Sequence, residues 1–174
     1  MKLCHSQSSP FVRKVKLAAH VLGCADELEL VETNTMDAED PIRAVNPLGK
    51  IPALVDGGIV LYDSRVIIEY LDAKAGGSKL IPASGAARFE TLTRAALMDG
   101  MMDAAILVVY EGRFRPDDKY VESFVTYQRE KIQRGLEVIA ASAPHYRTGA
   151  MPDAGEIALA CVLDYLGFRQ QLHW

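Results

Sequence analysis

Two serines before a predicted helix are the residues of this sequence best placed to do chemistry. Ser8 and Ser9 directly precede Pro10, which suits the first position of a helix. A hydroxyl at a helix N-terminus can donate a hydrogen bond to an anion, and the backbone N–H groups and the helix dipole there also favour negative charge. We therefore expect this position to stabilise an anion such as a thiolate. The alternative is that Ser9 only caps the helix.

The segment 46–64, NPLGKIPALVDGGIVLYDS, has the pattern of a ligand-binding hairpin. Two short apolar runs flank a DGG turn signal at 56–58, which predicts two paired strands. Pro52 has no N–H to give to a sheet, so the backbone of Ile51 is expected to stay free for an extended, peptide-like ligand. Ser64 is the predicted N-cap of the next helix, whose free N–H groups would attract a carboxylate. A hairpin and a capped helix without any ligand are the alternative.

Apolar periodicity predicts the elements that position these residues. A strand at 2–5 is followed by a helix that begins at Pro10 and stops at Gly23, and a second strand covers 28–32. A strand, a helix and a strand in this order favour a right-handed crossover with parallel strands, and the hairpin then completes a small mixed sheet. Residues 1–76 are therefore predicted to form a thioredoxin-like α/β domain.

All predicted elements after the Gly-, Ser- and Pro-rich linker at 77–85 are helices, so 86–174 should form an all-α helical-bundle domain. In its first helix, predicted to end near residue 112, Asp99 and Asp103 fall within the apolar stripe. Buried charge is costly unless it is paired, so both should face a cleft, a subunit interface or basic partners. The alternatives are a helix rotated towards water and, more weakly, a metal or acid/base pair.

Two further helices complete the predicted domain. Pro116 and the two aspartates after it should open one helix, and Pro144 lies beyond its end. Asp153 and Glu156 have capping-box spacing ahead of a run that is apolar on nearly all sides. That pattern is typical of a central, buried helix with a structural role.

Composition excludes several classes of protein. The 174 residues carry a net charge of −4 with both signs interspersed, so we predict no nucleic-acid partner and no membrane surface partner. No apolar run reaches transmembrane length and the N-terminus is too polar for a secretory signal, so a cytoplasmic location is the default expectation.

The cysteines and histidines show no metal-ligand or dithiol spacing. Cys4, Cys24 and Cys161 are widely separated, which favours reduced core thiols over disulfides, a redox dithiol or a zinc site. No metal is therefore expected. Cys4 carries one reservation, because it lies in the first predicted strand close to the serines.

The run NPLGKIPAL, followed by LYDS and IIEYL, resembles the glutathione-binding half of the cytosolic glutathione transferase family. That family has a thioredoxin-like domain followed by a helical domain. The resemblance implies that Pro52 is cis and that the backbone of Ile51 pairs with the cysteinyl backbone of glutathione. It also implies that Asp63 and Ser64 hold the γ-glutamyl end, and Lys50 is expected near the glycyl carboxylate.

The first-helix motif SSPFVRKV is similar to bacterial members with serine rather than cysteine at the catalytic position. Alignment on the Pro-Phe pair favours Ser9, whereas alignment on the serine-rich motif favours Ser8; we prefer Ser9 because an N-cap oxygen points to the helix mouth. Without a cysteine there, conjugation is favoured over thiol–disulfide exchange. Arg13, Lys14 and Lys16 could add positive field, or could simply form a solvated face.

The resemblance implies an enzyme that binds glutathione as co-substrate, stabilises its thiolate and conjugates it to a small electrophile. It also implies a homodimer, with Asp99 near the ligand of the neighbouring subunit. A non-enzymatic interaction or regulatory module with the same fold is the alternative, and a reductase using Cys4 is a third. Family members usually continue with more helix past the position of Trp174, so the helical domain is expected to be incomplete.

Overall fold

A four-stranded mixed sheet forms the centre of the N-terminal half. The computed structural model describes residues 1–142 and 149–170, so Pro144 and Trp174 lie outside the described residues. The strands are β1 (Lys2–His5), β2 (Glu29–Glu32), β3 (Ala53–Asp56) and β4 (Ile59–Leu61), in the order β2-β1-β3-β4. β1 and β2 are parallel, whereas β3 runs antiparallel to both β1 and β4. The predicted parallel pairing of the first two strands and the predicted hairpin are confirmed.

Three helices belong to this half. They are α1 (Pro10–Leu22), α2 (Ile42–Val45) and α3 (Ser64–Lys74). α1 begins and ends as predicted, since Ser9 is its N-cap and Gly23 closes it with φ of 76°. The left-handed conformation there is one that glycine adopts at low cost.

The predicted cap of α3 is wrong by one residue. Asp63 is the N-cap, and its carboxylate accepts a hydrogen bond from the N–H of Arg65 at 3.0 Å. Ser64 is the first residue of the helix and is buried. Asp63 has an extended backbone and a side chain that caps as well as serine does, so it takes the position.

Long helices make up the second half. They are α4 (Gly85–Phe114), α5 (Glu122–Ala141) and α6 (Ala154–Arg169). The residues after Pro116 form only a 3-10 turn, Asp117–Lys119, so the prediction that they open α5 is wrong. The capping box of α6 is confirmed, because Asp153 and Glu156 exchange backbone N–H hydrogen bonds of 2.9 Å. The fold is thus a thioredoxin-like domain followed by a helical domain.

Helix α6 joins the two halves through their cores. One core lies between the sheet and α1 and α3, and includes Leu3, Val15 and Leu71. The other lies between α4, α5 and α6, and includes Met102 and Cys161. α6 contributes residues to both cores and contacts both α1 and α4. No helix within the described ranges is long and apolar enough to cross a membrane.

Asp72 fixes the segment that connects the two halves. This aspartate is buried near the end of α3, and its carboxylate accepts hydrogen bonds from three consecutive N–H groups, those of Lys79 and Leu80 at 3.0 Å and Ile81 at 3.3 Å. The C=O of Leu80 accepts from the N–H of Ala154 at 2.9 Å, at the start of α6. Both halves therefore bind the linker directly.

Candidate functional site

The candidate site is a cavity of about 500 Å³ between the two halves. Ser8 and Ser9 line one side, together with the segment 49–51 that precedes β3. The opposite side is formed by one face of α4 and the C-terminal end of α6. The cavity therefore contains the predicted anion-stabilising position and the predicted ligand-binding backbone together.

Ser9 and Ser8 differ in how they are held. The Oγ atom of Ser9 accepts a hydrogen bond from the N–H of Val12 at 3.3 Å, which leaves its hydroxyl proton free to be donated. Ser9 is half-buried at the mouth of α1, whereas Ser8 is exposed. Ser9 is thus the more preorganised donor, and the dipole of α1 adds positive potential at the same point.

The backbone before β3 is open to a ligand. The Ile51–Pro52 peptide bond is cis, as the resemblance implied. Among the described residues, nothing hydrogen-bonds to the N–H or C=O of Ile51. The buried side chain of Asn46 fixes the loop, since its amide donates to the C=O of Lys50 at 2.8 Å. Sequence reasoning assigned Asn46 only to a turn signal and missed this bridging role.

A charged chain runs from the start of α3 into the interdomain contact. The Nε atom of Arg65 lies 3.6 Å from Oδ2 of Asp63 and 3.3 Å from Oδ2 of Asp99. Asp63 is largely exposed, so its outer face is accessible to a ligand cation. Ser64 follows it directly, and the Tyr62–Asp63 peptide bond is cis.

Asp99 is buried and has a basic partner, as expected for a charge in an apolar stripe. Its Oδ1 atom lies 2.5 Å from Nζ of Lys14, and each side chain is only 2% exposed. The alternative that the cations of α1 form a solvated face is therefore wrong for Lys14. It fits Lys16, which is exposed, and Arg13 is exposed and paired with Asp164 at 3.3 Å.

Asp103 faces the cavity instead of the core. It is exposed, lines the cavity and lies one turn of α4 after Asp99. Partial burial and then the charge of Asp99 raise the pKa of the Asp103 carboxyl, while Arg65 and Lys50 oppose that shift. Asp103 therefore lies at the end of the cavity near Lys50 and the start of α3.

Aromatic and basic residues on α4 and α6 form the far wall of the cavity, which sequence reasoning missed. Tyr110 and Arg113 follow Asp103 on the same face of α4, and Tyr165 and Arg169 come from α6. Burial raises the pKa of the Tyr165 phenol, and Arg169 partly offsets that effect. The helical spacing of 103, 110 and 113 was the available signal.

The cysteines have the environment of core thiols. Burial raises the pKa of Cys4, and it raises that of Cys161 to about 12. A thiol with a raised pKa carries little thiolate at neutral pH, so the geometry does not favour a reductase centred on Cys4. In the part of the chain that the structure describes, no group of three or more His, Cys, Asp or Glu residues could hold a metal ion.

Comparison with known proteins gives the same picture of the fold. Residues 3–79 match the family model described as glutathione S-transferase, N-terminal domain. The chain is 33% identical to the uncharacterized GST-like protein YibF of Escherichia coli, over 98% of this chain and 84% of that protein. It is 29% identical to glutathione S-transferase 3 of Zea mays, over 93% of this chain and 82% of that protein.

Two solved structures are similar along nearly the whole chain. One is a glutathione transferase family member from Pseudomonas fluorescens Pf-5 with bound glutathione. It is 44% identical in sequence and superposes with a TM-score of 0.86, over 97% of this chain and 83% of that chain. The other is a glutathione S-transferase from Methylobacillus flagellatus with glutathione bound. It is 36% identical in sequence and superposes with a TM-score of 0.89, over 99% of this chain and 86% of that chain.

Proposed function

The chain belongs to the glutathione transferase family, and on that premise we propose that it binds glutathione and conjugates the glutathione thiolate to a small electrophile. The observation that carries the proposal is that the hydroxyl of Ser9 and the unpaired backbone of Ile51 line one cavity. A peptide bound to Ile51 as an extra strand would bring its thiol towards the N-terminus of α1.

The polar groups around the cavity match the charges of glutathione. Its cysteinyl backbone would pair with the N–H and C=O of Ile51, next to the cis bond to Pro52. The ammonium of the γ-glutamyl group would meet the exposed carboxylate of Asp63, while the N-terminus of α3 at Ser64 would receive its carboxylate. Lys50 would neutralise the glycyl carboxylate. Bound glutathione in the two similar structures supports this arrangement.

Ser9 is the residue that we propose to activate the thiol. Its hydroxyl would donate to the sulfur, and the α1 dipole would further favour the anion, so the thiol pKa falls below its usual value of roughly 8.5. The thiolate then attacks the electrophilic carbon, a C–S bond forms, and a leaving group departs or a double bond takes up a proton. Ser8 is the second candidate for this role.

Asp99 is proposed to support the glutathione site from within its own subunit. Its side chain is 2% exposed and paired with Lys14, and the Nε atom of Arg65 lies between its carboxylate and that of Asp63. By analogy with the family we also propose a homodimer and a cytoplasmic location.

An ultraviolet difference titration of bound glutathione across pH tests the proposal. Wild type should show a thiolate band well below the pH at which free glutathione ionises. Ser9→Ala should move the band towards the pKa of the free thiol, because it removes the donor. Ser8→Ala is the matched control and should leave the band in place.

Two other outcomes would change the proposal. A band that moves only in Ser8→Ala would transfer the role to Ser8. Bound glutathione without a band would contradict thiol activation and favour the non-enzymatic interaction module.

A further inference from the structure

Two arginines at the far wall of the cavity have no acidic partner in the described part of the chain. Among the described residues, neither Arg113 nor Arg169 has a carboxylate oxygen within 4.0 Å. Every other described arginine is held by a carboxylate or, in the case of Arg43, by backbone carbonyls. Both exceptions line the same cavity.

Aromatic rings hold these guanidinium groups in place. The guanidinium carbon of Arg113 lies 5.6 Å from the ring centroid of Tyr110, and that of Arg169 lies 5.4 Å from the ring centroid of Tyr165. Stacked guanidinium groups keep their N–H edges available for a two-pronged contact with a carboxylate. The Nε atom of Arg169 is buried and makes no hydrogen bond to a described residue.

The two guanidinium groups share one neighbourhood. The pKa of the Tyr165 phenol is raised by burial, and both Arg169 and Arg113 act to lower it. The phenol therefore lies within electrostatic range of both. A ligand carboxylate near Tyr165 would meet two positive charges, which is a stronger and more specific contact than one.

The cavity face of α4 changes from acidic to apolar to basic. Asp103 lies at the glutathione end, Leu107 and Tyr110 follow, and Arg113 lies at the far end. At 1.5 Å per residue, the ten-residue step from Asp103 to Arg113 spans about 15 Å. An anionic ligand would be repelled at the Asp103 end and attracted at the other, so it would enter in one orientation.

We propose that this cavity selects electrophiles that carry a carboxylate on an apolar, aromatic body, with Arg113 and Arg169 as the carboxylate-binding residues. The inference rests on the proposed conjugation activity. The carboxylate would lie at the far wall and the reactive carbon near Ser9, with Phe11 and Tyr110 against the aromatic body. The competing explanation is that each arginine, in the last turn of its helix, only offsets the negative end of the helix dipole.

A matched pair of electrophiles separates these explanations. The probes are 4-chloro-3,5-dinitrobenzoate and its methyl ester, and both react by the same substitution. The glutathione thiolate attacks the ring carbon that carries chlorine, a C–S bond forms, and chloride leaves with the bonding electrons. The uncatalysed rate of each probe corrects for its intrinsic reactivity.

In wild type, the corrected kcat/KM for the benzoate should exceed that for the ester by at least about tenfold. Charge-assisted hydrogen bonds from an arginine to the carboxylate are strong enough to give that ratio. Arg113→Gln and Arg169→Gln should each lower the benzoate value by about tenfold and leave the ester value within about twofold. Arg134→Gln, on the exposed face of α5, is the control and should change neither. Equal values for the two probes in wild type would overturn the inference, as would equal losses on both probes in the two variants.

Binding of the two thioether products, measured by calorimetry with wild type, gives a readout that needs no turnover. Tighter binding of the carboxylate product supports the inference even if catalysis is slow. Equal binding of both products, in a protein that binds glutathione, overturns the inference alone. A protein that does not bind glutathione contradicts the proposed function, and the inference falls with it.

Discussion

Breaking the buried ion pair between Lys14 and Asp99 should cost more stability than breaking any exposed pair among the described residues. It joins α1 of the first domain to α4 of the second, and both side chains are 2% exposed. Lys14→Met would leave the Asp99 carboxylate buried with only Arg65, 3.3 Å away, as a cation. Removing one partner of a buried pair costs about 3–5 kcal/mol, because the remaining charge is without solvation and has lost its nearest counter-ion.

The cost should come from the orphaned charge and not from the lost attraction. Lys14→Met combined with Asp99→Leu removes both charges and fills the space with apolar atoms. Such replacements are often neutral or stabilising by about 1–4 kcal/mol, so the double variant should be much more stable than Lys14→Met alone. Lys2→Met is the control, since Lys2 and Glu29 form an exposed pair with N···O of 3.5 Å. Its cost should be about 0–1 kcal/mol.

Urea unfolding followed by far-ultraviolet circular dichroism measures all three variants. We expect a large loss of stability for Lys14→Met, recovery in the double variant and little change for Lys2→Met. If Lys14→Met cost no more than Lys2→Met, the buried charge would not be the source of the cost. If the double variant were as unstable as Lys14→Met, the packing of the two side chains would matter more than the unpaired charge.

Two further predictions concern α4 and its contact with α5. The pKa of the Asp103 carboxyl is raised from 3.8 in the folded state. Between the pKa of the unfolded chain and that of the folded protein, the folded protein therefore binds more protons at this carboxyl. The contribution of Asp103 to the unfolding free energy falls as the pH rises through that window. The unfolding free energy of Asp103→Asn, relative to wild type, should therefore increase from acid to neutral pH in urea titrations; a constant difference would contradict this. In Gly135→Ala the new Cβ would overlap the buried side chain of Met101, at a cost of about 1–3 kcal/mol. Gly100→Ala, with nothing within 4 Å of its Cβ, should instead stabilise α4 by about 0.5–1 kcal/mol, and equal effects in thermal unfolding would refute the argument.

Local patterns predicted the regular elements well. The strand at 2–5, the N-cap Ser9 and the capping box at Asp153 are confirmed, because each depends on residues within a few positions of one another. Helix α2, at 42–45, was missed since four residues are too few to show a helical period. The resemblance, not periodicity, supplied the cis bond at Pro52.

Features that depend on contacts between distant residues could not be read from the sequence. Lys14 looks like a surface residue of α1 because its partner, Asp99, is 85 positions away. Arg113 and Arg169 each look like an ordinary cation at a helix end, and only the packing of α4 beside α6 brings both to one cavity. The roles of the individual site residues remain predictions that the proposed experiments test.

The anchoring of the linker limits how this protein can be taken apart or recombined. The carboxylate of Asp72 accepts from the N–H groups of 79–81, and the C=O of Leu80 accepts from the N–H of Ala154, so this segment is hydrogen-bonded to both domains. A chimaera that takes only the sheet domain from this chain would lose the hydrogen bond between Leu80 and Ala154. A segment exchanged with a relative should therefore include 72–81 together with the start of α6.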